Sequence, residues 1–255
     1  MLPAALSRYR IALLLSLPLC AWALWLRNGW LFSAVMLALL SLTALGVKIP
    51  QMGFFGPYVC RGASSRRCVA LTFDDGPDPR STPALLDLLR DAKVPATFFC
   101  TGQQVAAHPE LAARIAREGH LIQNHSYTHN HATNIFTVAR LRAELTQTQA
   151  VIQKITGVAP RWFRPPMGLT NPRVFHVARA LGLIVVGWTA RGFDTKLTEP
   201  TLIVARILRK LRPGAILLLH DGNIPAERLT KTVRLLLAEL RARDYEVARL
   251  DHVVR

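Results

Sequence analysis

The fold of this chain is decided by the stretch VALTFDDGP, residues 69–77. It begins with a short, mostly apolar run and closes on a Gly-Pro pair, which is typical of a buried strand in a parallel sheet. Two carboxylates, Asp74 and Asp75, follow the run directly. Because barrel enzymes place functional groups at the carboxyl ends of their strands, the stretch predicts a strand that carries ionisable side chains into a site.

Apolar runs of the same kind recur from Cys68 onward and alternate with segments that carry helix start and stop signals. This alternation is typical of β-α units around a parallel sheet. Six helices are expected between the strands, and Pro83, Pro109 and the pair Asn171-Pro172 suit three helix starts. Seven strands are predicted, over residues 69–73, 96–100, 120–124, 162–164, 183–188, 215–219 and 246–250.

Seven alternating strands favour an α/β fold with a distorted seven-stranded (β/α) barrel, although the spacing is also compatible with an open sheet. The barrel domain is expected over residues 68–255. Residues 49–67 are expected to link it to an N-terminal membrane anchor over residues 1–48. The 255 residues therefore suffice for one domain and an anchor, without internal duplication.

Two uncharged apolar runs, residues 11–26 and 30–47, precede this domain and are separated only by Arg27, Asn28 and Gly29. As helices they would span about 24 and about 27 Å, slightly less than the ~30 Å hydrocarbon core unless a flanking turn extends each. A hairpin of two transmembrane helices is therefore predicted. A cleaved signal peptide is the alternative for the first run, although no A-x-A cleavage site follows it.

Basic residues flank this predicted hairpin, whereas its loop holds only Arg27. The flanking residues are Arg8 and Arg10 before it and Lys48, Arg61, Arg66 and Arg67 after it. Because basic residues favour the cytoplasmic side, both termini and the barrel are predicted on the cytoplasmic face of a bacterial-type inner membrane. A periplasmic or other extracytoplasmic barrel is the alternative, if the first run is cleaved or the second does not span.

The chain carries a formal charge of +16, and only four of its 32 basic residues lie before residue 49. Residues 49–255 therefore keep 28 basic against 16 acidic residues, a formal +12. That charge suits an anionic membrane surface or a phosphate-bearing lipid, although a generally Arg-rich composition explains it equally well. Nucleic acid is not an expected partner, since no basic stripe interleaved with aromatics occurs. The oligomeric state stays open.

Ionisable residues fall at or just beyond the carboxyl ends of separate predicted strands. They are Asp74, Asp75, His125, Arg164 and His220. Such positions converge on one face of a barrel, so the pattern predicts an active site there. His125 and His129 lie four apart, a spacing that lets two imidazoles face one ion, and Asp75 would complete a His/His/Asp site with open positions. His131 could ligate in place of His129 and is interpreted as a solvated loop residue.

Four segments carry a resemblance to a known family. They are LTFDDGP (71–77), HSYTH (125–129), RPPMG (164–168) and LLLH (217–220). In order and spacing they resemble the motifs of the polysaccharide deacetylase family, that is, the nodulation deacetylase homology domain or carbohydrate esterase family 4. The resemblance covers about residues 68–251. It implies a distorted seven-stranded barrel and metal-dependent hydrolysis of an N-acyl group, with acetyl expected, on an amino sugar in a glycan or a lipid-linked precursor.

The resemblance also implies roles for single residues. The implied ligands of one divalent metal are Asp75, His125 and His129. Zn²⁺ is the first expectation, and other divalent transition metals are compatible with these ligands. Asp74 would be the general base that takes a proton from the attacking water, and His220 would protonate the leaving amine. Arg164 would hold Asp74 by a charged hydrogen bond and keep it ionised.

Three further residues would contact the substrate. A backbone N–H near Met167 would share the oxyanion, Leu218 would line the pocket for the acyl methyl group, and Trp188 would help to wall the site. For Leu218 and Trp188, plain core packing is an equally good explanation of the apolar side chain.

Some positions depart from the family pattern. Met167 stands where an aromatic residue is usual, and Arg191 stands where the family usually has an aspartate that tunes the catalytic histidine. Asp194 matches the second acidic position of that motif, but Thr195 replaces its tryptophan. The acidic partner of His220 is therefore left open. Two alternatives accompany the hydrolase: a barrel that binds carbohydrate or lipid without turnover, and an amidase acting on a non-sugar amide.

Overall fold

The computed structural model describes residues 7–62 and 67–254 of the chain. Three parts of the prediction lie outside the described residues. They are residues 1–6 of the anchor, residues 63–66 of the linker, which include Arg66 of the charge pattern, and residue 255.

The described chain begins with two helices, α1 (Arg8–Trp25) and α2 (Gly29–Lys48), which lie against each other. Asn28 caps α2, because its Oδ1 accepts a hydrogen bond from the Leu31 N–H at 3.0 Å. Among the described residues, only α2 is long and apolar enough to cross a membrane, with a mean hydropathy of 2.1. A helix of this kind near the N-terminus is also typical of a signal sequence. One apolar helix is therefore established, and a membrane hairpin of both helices is not.

Eight short strands form one parallel sheet within the described residues. They are β1 (Cys68–Asp74), β2 (Thr97–Cys100), β3 (Leu121–Asn124), β4 (Trp162–Phe163), β5 (Ile184–Val185), β6 (Ala190–Arg191), β7 (Ile216–His220) and β8 (Glu246–Ala248). Their order is β5-β4-β3-β2-β1-β7-β6, and β8 pairs with the start of β1. The sheet curls into a half-barrel, so the predicted α/β class is confirmed.

The predicted number of seven strands misses β6. The predicted run over 183–188 contains only β5, and β6 follows it after Thr189. Thr189 joins this segment to β7, since its N–H donates to Ile216 O at 2.8 Å and its Oγ1 accepts from Ile216 N–H at 3.0 Å. A strand of two residues has no periodicity that could be read from sequence, so tertiary pairing alone defines it.

Helices connect the strands on the outer face of the half-barrel. They are α3 (Thr82–Ala92), α4 (Gly102–Ala107), α5 (Pro109–Arg117), α6 (Val138–Thr156), α7 (Pro172–Ala180), α8 (Pro200–Leu208), α9 (Ala226–Ala242) and the C-terminal α10 (Leu250–Val253). The three predicted helix starts are confirmed: Pro83 and Pro109 lie in the first turns of α3 and α5, and Asn171 caps α7. Six of these helices have nine residues or more, as expected, and the short α4 and α10 were not predicted.

Every residue of β1 is buried, and alternation along the strand assigns its two faces. Val69, Leu71 and Phe73 pack in the core between the sheet and the helices. Ala70 packs in a second cluster inside the curl of the sheet. Residue 74 belongs to this inner set, so β1 places the Asp74 carboxylate inside the half-barrel at the carboxyl end of the sheet.

Backbone between Val59 and Gly62 runs along both open ends of the sheet. Val59 N–H donates to Val185 O at 3.0 Å, and Gly187 N–H donates to Val59 O at 2.8 Å, beside β5. Gly62 N–H donates to Gly214 O at 2.8 Å, just before β7. Part of the segment predicted as a linker over residues 49–67 therefore contributes hydrogen bonds to the barrel.

The preceding residues connect the N-terminal helices to the barrel. Tyr9 N–H of α1 donates to Phe54 O at 2.8 Å, and the ring centroids of Tyr9 and Phe55 lie 5.4 Å apart. Gly56 lies against the ring of Phe175 in α7, so closely that a Cβ at this position would overlap the ring. The aromatic residues after α2 thus pack between α1 and the barrel domain.

Candidate active site

The predicted site residues come from separate elements and meet at the carboxyl end of the sheet. Asp74 ends β1 and Asp75 follows it, His125 follows β3, Arg164 follows β4, and His220 ends β7. The paired strands β1 and β7 are in register here, with Asp74 opposite His220. The ends of parallel strands therefore gather the ionisable groups into one cluster.

Asp75, His125 and His129 form a cluster with the geometry of a metal site. Asp75 Oδ1 lies 3.3 Å from His125 Nε2 and 3.3 Å from His129 Nε2. The three potential ligand atoms all lie within 4.8 Å of one another. Asp75 Oδ1 is buried and accepts no hydrogen bond among the described residues. A buried carboxylate oxygen of this kind requires a compensating partner, and a cation fits that need.

The hydrogen bond of His125 leaves its Nε2 atom free to bind a metal ion. Its Nδ1 lies 2.7 Å from the carbonyl oxygen of Arg164. Because a carbonyl only accepts hydrogen bonds, we assign the ring proton to Nδ1, which leaves the Nε2 lone pair facing Asp75. Two imidazoles and one carboxylate are a donor set that suits Zn²⁺ and other divalent transition metals. His131, the alternative ligand, is exposed and its ring centroid lies 6.3 Å from that of His129.

Buried polar groups hold the loop that carries the two histidines. Asn124 Oδ1 accepts from Ser126 N–H at 2.9 Å, and Ser126 Oγ accepts from His129 N–H at 3.2 Å. Glu144 of α6 accepts from the N–H groups of Tyr127 and Thr128 at 2.9 and 2.8 Å. The positive φ of Ser126 (65°) and His129 (49°) is therefore stabilised by specific partners.

Asp74 is paired with Arg164, which is fully buried. Arg164 Nη1 donates to Asp74 Oδ1 at 2.6 Å and to Thr72 Oγ1 at 2.9 Å, while Nη2 donates to Gly187 O at 2.9 Å. The guanidinium also lies over the ring of Phe99, 4.0 Å from its centroid. This pairing uses only one oxygen of Asp74, and the other, Oδ2, lies 3.8 Å from His125 Nε2 beside the candidate metal ligands.

His220 is held by Asp194. Asp194 Oδ1 lies 3.0 Å from His220 Nδ1, and Asp194 Oδ2 accepts from His220 N–H at 2.7 Å. The partner that the sequence left open is therefore Asp194, and Arg191 does not leave the histidine without a carboxylate. Burial by itself would lower the pKa of His220, but Asp194, and then the charges of Asp74 and Asp75, raise this pKa to about 9.

Asp221 is a further buried carboxyl group at the site. Its Oδ2 accepts from Thr82 Oγ1 at 2.6 Å, and it lies so close to Gly76 that a Cβ there would overlap the carboxylate. Burial, followed by the charges of Asp75 and Asp74, raises the pKa of Asp221 to about 7 against the lowering effect of the Thr82 hydrogen bond. The residue therefore packs beneath the turn that presents Asp75.

The three predicted substrate contacts lie on one side of the site. Met167 is 53% exposed and has a φ of 57°, and Gly168 after it packs against the Trp188 ring. Leu218 is almost fully buried and lies in register with Thr72, whose side chain faces the inside of the half-barrel. The structure thus places Trp188 beside the loop of Met167 and places Leu218 in the inner wall.

Sequence reasoning missed the roles of Glu144 and Asp221. Glu144 lies on the buried stripe of α6, three residues after Leu141 and four before Thr148. A carboxylate at a core position of an amphipathic helix is a signal that could have indicated a buried hydrogen-bonding role. Asp221 follows His220 directly, but nothing in its spacing distinguishes it from an exposed loop residue.

Comparison with known proteins agrees with this geometry. A sequence model described as polysaccharide deacetylase matches residues 61–186. The chain is 37% identical over 191 residues to a chitooligosaccharide deacetylase of Bradyrhizobium sp. (strain ANU 289), which covers 75% of this chain and 84% of that relative. It is 33% identical over 194 residues to a peptidoglycan-N-acetylglucosamine deacetylase of Bacillus cereus, with 75% and 90% covered.

A similar fold occurs in a solved structure of a carbohydrate esterase family 4 pseudoenzyme from Bacillus anthracis. The TM-score is 0.72 at 28% sequence identity, over 78% of this chain and 69% of that one. Half-barrel, motif positions and relatives agree, and the chain belongs to the polysaccharide deacetylase family.

Proposed function

We propose that this chain is a metal-dependent hydrolase that removes the N-acetyl group from an amino sugar in a glycan or a lipid-linked glycan precursor. The observation that carries the proposal is the unpartnered Asp75 Oδ1 lying 3.3 Å from the Nε2 atoms of His125 and His129. Relatives named as chitooligosaccharide and peptidoglycan-N-acetylglucosamine deacetylases support an N-acetylated amino sugar as the substrate.

In this proposal, Asp75, His125 and His129 hold one divalent ion, with Zn²⁺ as the first candidate. When bound, such an ion supplies Lewis-acid chemistry, which polarises an amide carbonyl and makes a water molecule more acidic. Asp74 is the general base. Arg164 holds its Oδ1 and keeps the carboxylate ionised, so the Oδ2 oxygen remains to accept a proton beside the ligands.

His220 serves as the general acid opposite this base. Asp194 fixes its Nδ1, so Nε2 is the nitrogen that delivers a proton to the leaving amine. A pKa of about 9 keeps the imidazole protonated at neutral pH, as an acid requires. The loop of Met167 and the side chains of Trp188 and Leu218 would then position the sugar and its acetyl group.

The test is acetate release by the purified full-length chain in detergent. Oligomers of N-acetylglucosamine serve as substrates, after metal removal with a chelator and again after Zn²⁺ is restored. We expect activity only with metal and stoichiometric binding of one ion per chain. Stoichiometric metal binding without acetate release from any amino-sugar substrate would favour the inactive binding barrel instead, and release only from non-sugar acetamides would favour the amidase.

The membrane arrangement is a further part of the proposal. We propose that α1 and α2 both span the bilayer and that the barrel lies on its cytoplasmic face. Arg8 and Arg10 in the first turn of α1, Lys48 at the end of α2 and Arg61 beyond it outnumber the single Arg27 between the two helices. On the cytoplasmic face, the formal charge of +12 on residues 49–255 would favour a substrate linked to a lipid-phosphate carrier.

A pair of reporter fusions at Arg255 tests this arrangement. Alkaline phosphatase is active only after export, and a green fluorescent protein exported in unfolded form stays dark. We expect fluorescence and no phosphatase activity from stable full-length fusions. The opposite pattern would place the barrel outside the cytoplasm and direct the substrate search to extracytoplasmic glycans.

A further inference from the structure

Arg191 faces the inside of the half-barrel near the candidate active site. It lies in register with Leu218 on the neighbouring parallel strand, and Leu218 is in register with Thr72. Side chains in register point to the same face of a sheet, and Thr72 contacts Arg164 inside the curl. His220 lies two residues beyond Leu218 and therefore shares this face. The backbone thus directs Arg191 toward the side of the sheet that carries the general acid.

Aromatic rings, not carboxylates, surround the Arg191 guanidinium. It lies 5.6 Å from the centroid of the Trp188 ring and 4.6 Å from that of Phe193. Arg206 of α8 approaches the same Phe193 ring, 4.8 Å from its centroid. Two guanidinium groups therefore flank one ring at the edge of the site. Asp194 is the nearest acid along the chain, and both its oxygens are engaged by His220.

Neither guanidinium is neutralised within residues 7–62 and 67–254. Arg191 and Arg206 form no ion pair there, and Arg191 Nε is buried without a hydrogen-bond partner. Arg191 is partly buried, and its guanidinium is held between aromatic rings with its N–H donors unpaired within the described chain. Such a group can bind an anionic ligand through these donors.

We infer that Arg191, together with Arg206 at the same Phe193 ring, forms a subsite for an anionic group, a phosphate or a carboxylate, that the substrate carries near the acetylated amine. The planar guanidinium matches either group by paired N–H donors. This inference rests on the proposed function, because it assigns the chemical class of the same substrate.

The test compares charged and uncharged substrates on the Zn²⁺-loaded full-length chain. The probes are N-acetylglucosamine 1-phosphate, N-acetylmuramic acid, which carries a carboxylate, and the uncharged methyl N-acetylglucosaminide. The measured quantity is the ratio of kcat/KM for each charged probe to that for the uncharged one. We expect Arg191→Gln to lower this ratio for at least one charged probe by about tenfold to a hundredfold, as removal of a charge-assisted pair does.

Two further variants and a control sharpen the comparison. Arg191→Lys keeps the charge but loses the paired donors, so we expect an intermediate ratio. Arg206→Gln should lower the ratio less than Arg191→Gln, because Arg206 is exposed. Arg209→Gln removes the same charge from an exposed position at the end of α8 and should leave the ratio unchanged.

Calorimetric binding of the same probes to metal-free chain separates this inference from the proposed function. Arg191-dependent affinity for a charged probe, without turnover of any probe, would support the subsite and defeat the deacetylase. Turnover with equal losses on charged and uncharged probes, or an unchanged ratio in Arg191→Gln, would overturn the subsite and leave the deacetylase standing. Dependence on the phosphate alone would indicate a phosphate-linked sugar, and dependence on the carboxylate alone an acidic sugar.

Discussion

Two sides of the candidate site are built in different ways. The metal side consists of Asp75, His125 and His129, and the wall side consists of Trp188, Arg191 and Asp194. On the metal side, backbone groups of the histidine loop have buried hydrogen-bond partners, and His125 Nδ1 donates to a carbonyl. On the wall side, strand β6 has two residues, and the Arg191 side chain lies against the rings of Trp188 and Phe193. The candidate metal side is therefore fixed by several buried hydrogen bonds, whereas the wall side, where we propose that the substrate binds, differs from the family pattern at Arg191.

Removal of a ligand should break the metal side completely. In Asp75→Ala we expect loss of bound Zn²⁺ and of all measurable acetate release, because only two of three protein ligands remain. Elemental analysis after dialysis gives the metal content, and acetate release gives the activity. His131→Ala is the matched control, since His131 is exposed and outside the cluster, and it should retain both. Stoichiometric metal in Asp75→Ala would remove Asp75 from the ligand set.

Asp74→Asn should separate catalysis from metal binding on the same side. We expect the metal to remain, because Asp75, His125 and His129 are intact, and the rate to fall by about 10² to 10⁴, the usual contribution of a general base. Single-turnover acetate release on metal-loaded protein measures the effect. A variant with full metal content and a rate close to that of the parent would show that another group accepts the proton.

Asp194→Asn tests the wall side through the pH dependence of the rate. Asp194 helps to raise the pKa of His220 to about 9, so its loss should lower this pKa. The protonated acid is then lost at lower pH, and the alkaline limb of the pH–kcat profile should move toward neutrality. Near pH ~8 we expect a loss of about tenfold to a hundredfold, as for other partners of catalytic groups.

Asp251→Asn is the matched control for Asp194→Asn. Asp251 lies in α10 and pairs with Arg249, outside the group of residues that surrounds His220. It should leave the alkaline limb in place. An identical pH profile in Asp194→Asn and the parent enzyme would show that Asp194 does not tune His220.

The smallest expected effect concerns Gly168, whose backbone packs against the Trp188 ring. Gly168 has a φ of 70°, and a Cβ there would overlap the indole. We expect Gly168→Ala to lower the free energy of unfolding by about 1 to 3 kcal/mol, as overpacking does, and to raise KM a few-fold. Gly157→Ala is the control: its φ is 74° but no atom lies within 4 Å of the added carbon, so only backbone strain of about 1 kcal/mol should appear. Equal losses in both variants would show that Trp188 does not constrain this loop.

Strands that lie in a continuous apolar run could be predicted from the sequence, including the two-residue β4 within 162–164, whereas β6 could not. The predicted ends of β1, β2, β3 and β7 differ from the observed ends by at most one residue, because an uninterrupted apolar run is what a strand buried on both faces requires. Strands β5 and β6 have two residues each, and their hydrogen bonds to β4 and β7 define them instead of any local pattern.

Some features of the candidate site could likewise be predicted from the sequence, and others could not. The clustering of Asp75, His125 and His129 could be predicted, because Asp75 and His125 follow recognisable strands and His129 lies four residues after His125 in the same motif. The pairing of Asp194 with His220 stayed open, since it depends on how the segment after β6 folds across β7. Glu144 was missed because its partners, the N–H groups of Tyr127 and Thr128, lie in a loop whose path the sequence does not specify.

The segment that runs from Phe54 to Gly62 has a practical consequence for anyone who trims this protein to a soluble fragment. A fragment that starts at Cys68, where β1 begins, would lack the backbone of Val59 and Gly62, which hydrogen-bonds to both ends of the sheet. It would also lack Tyr58, whose hydroxyl donates to Gly168 O at 3.4 Å beside the Met167 loop. The useful cut lies before Tyr58, so the boundary of the foldable unit precedes the boundary of the recognisable sequence.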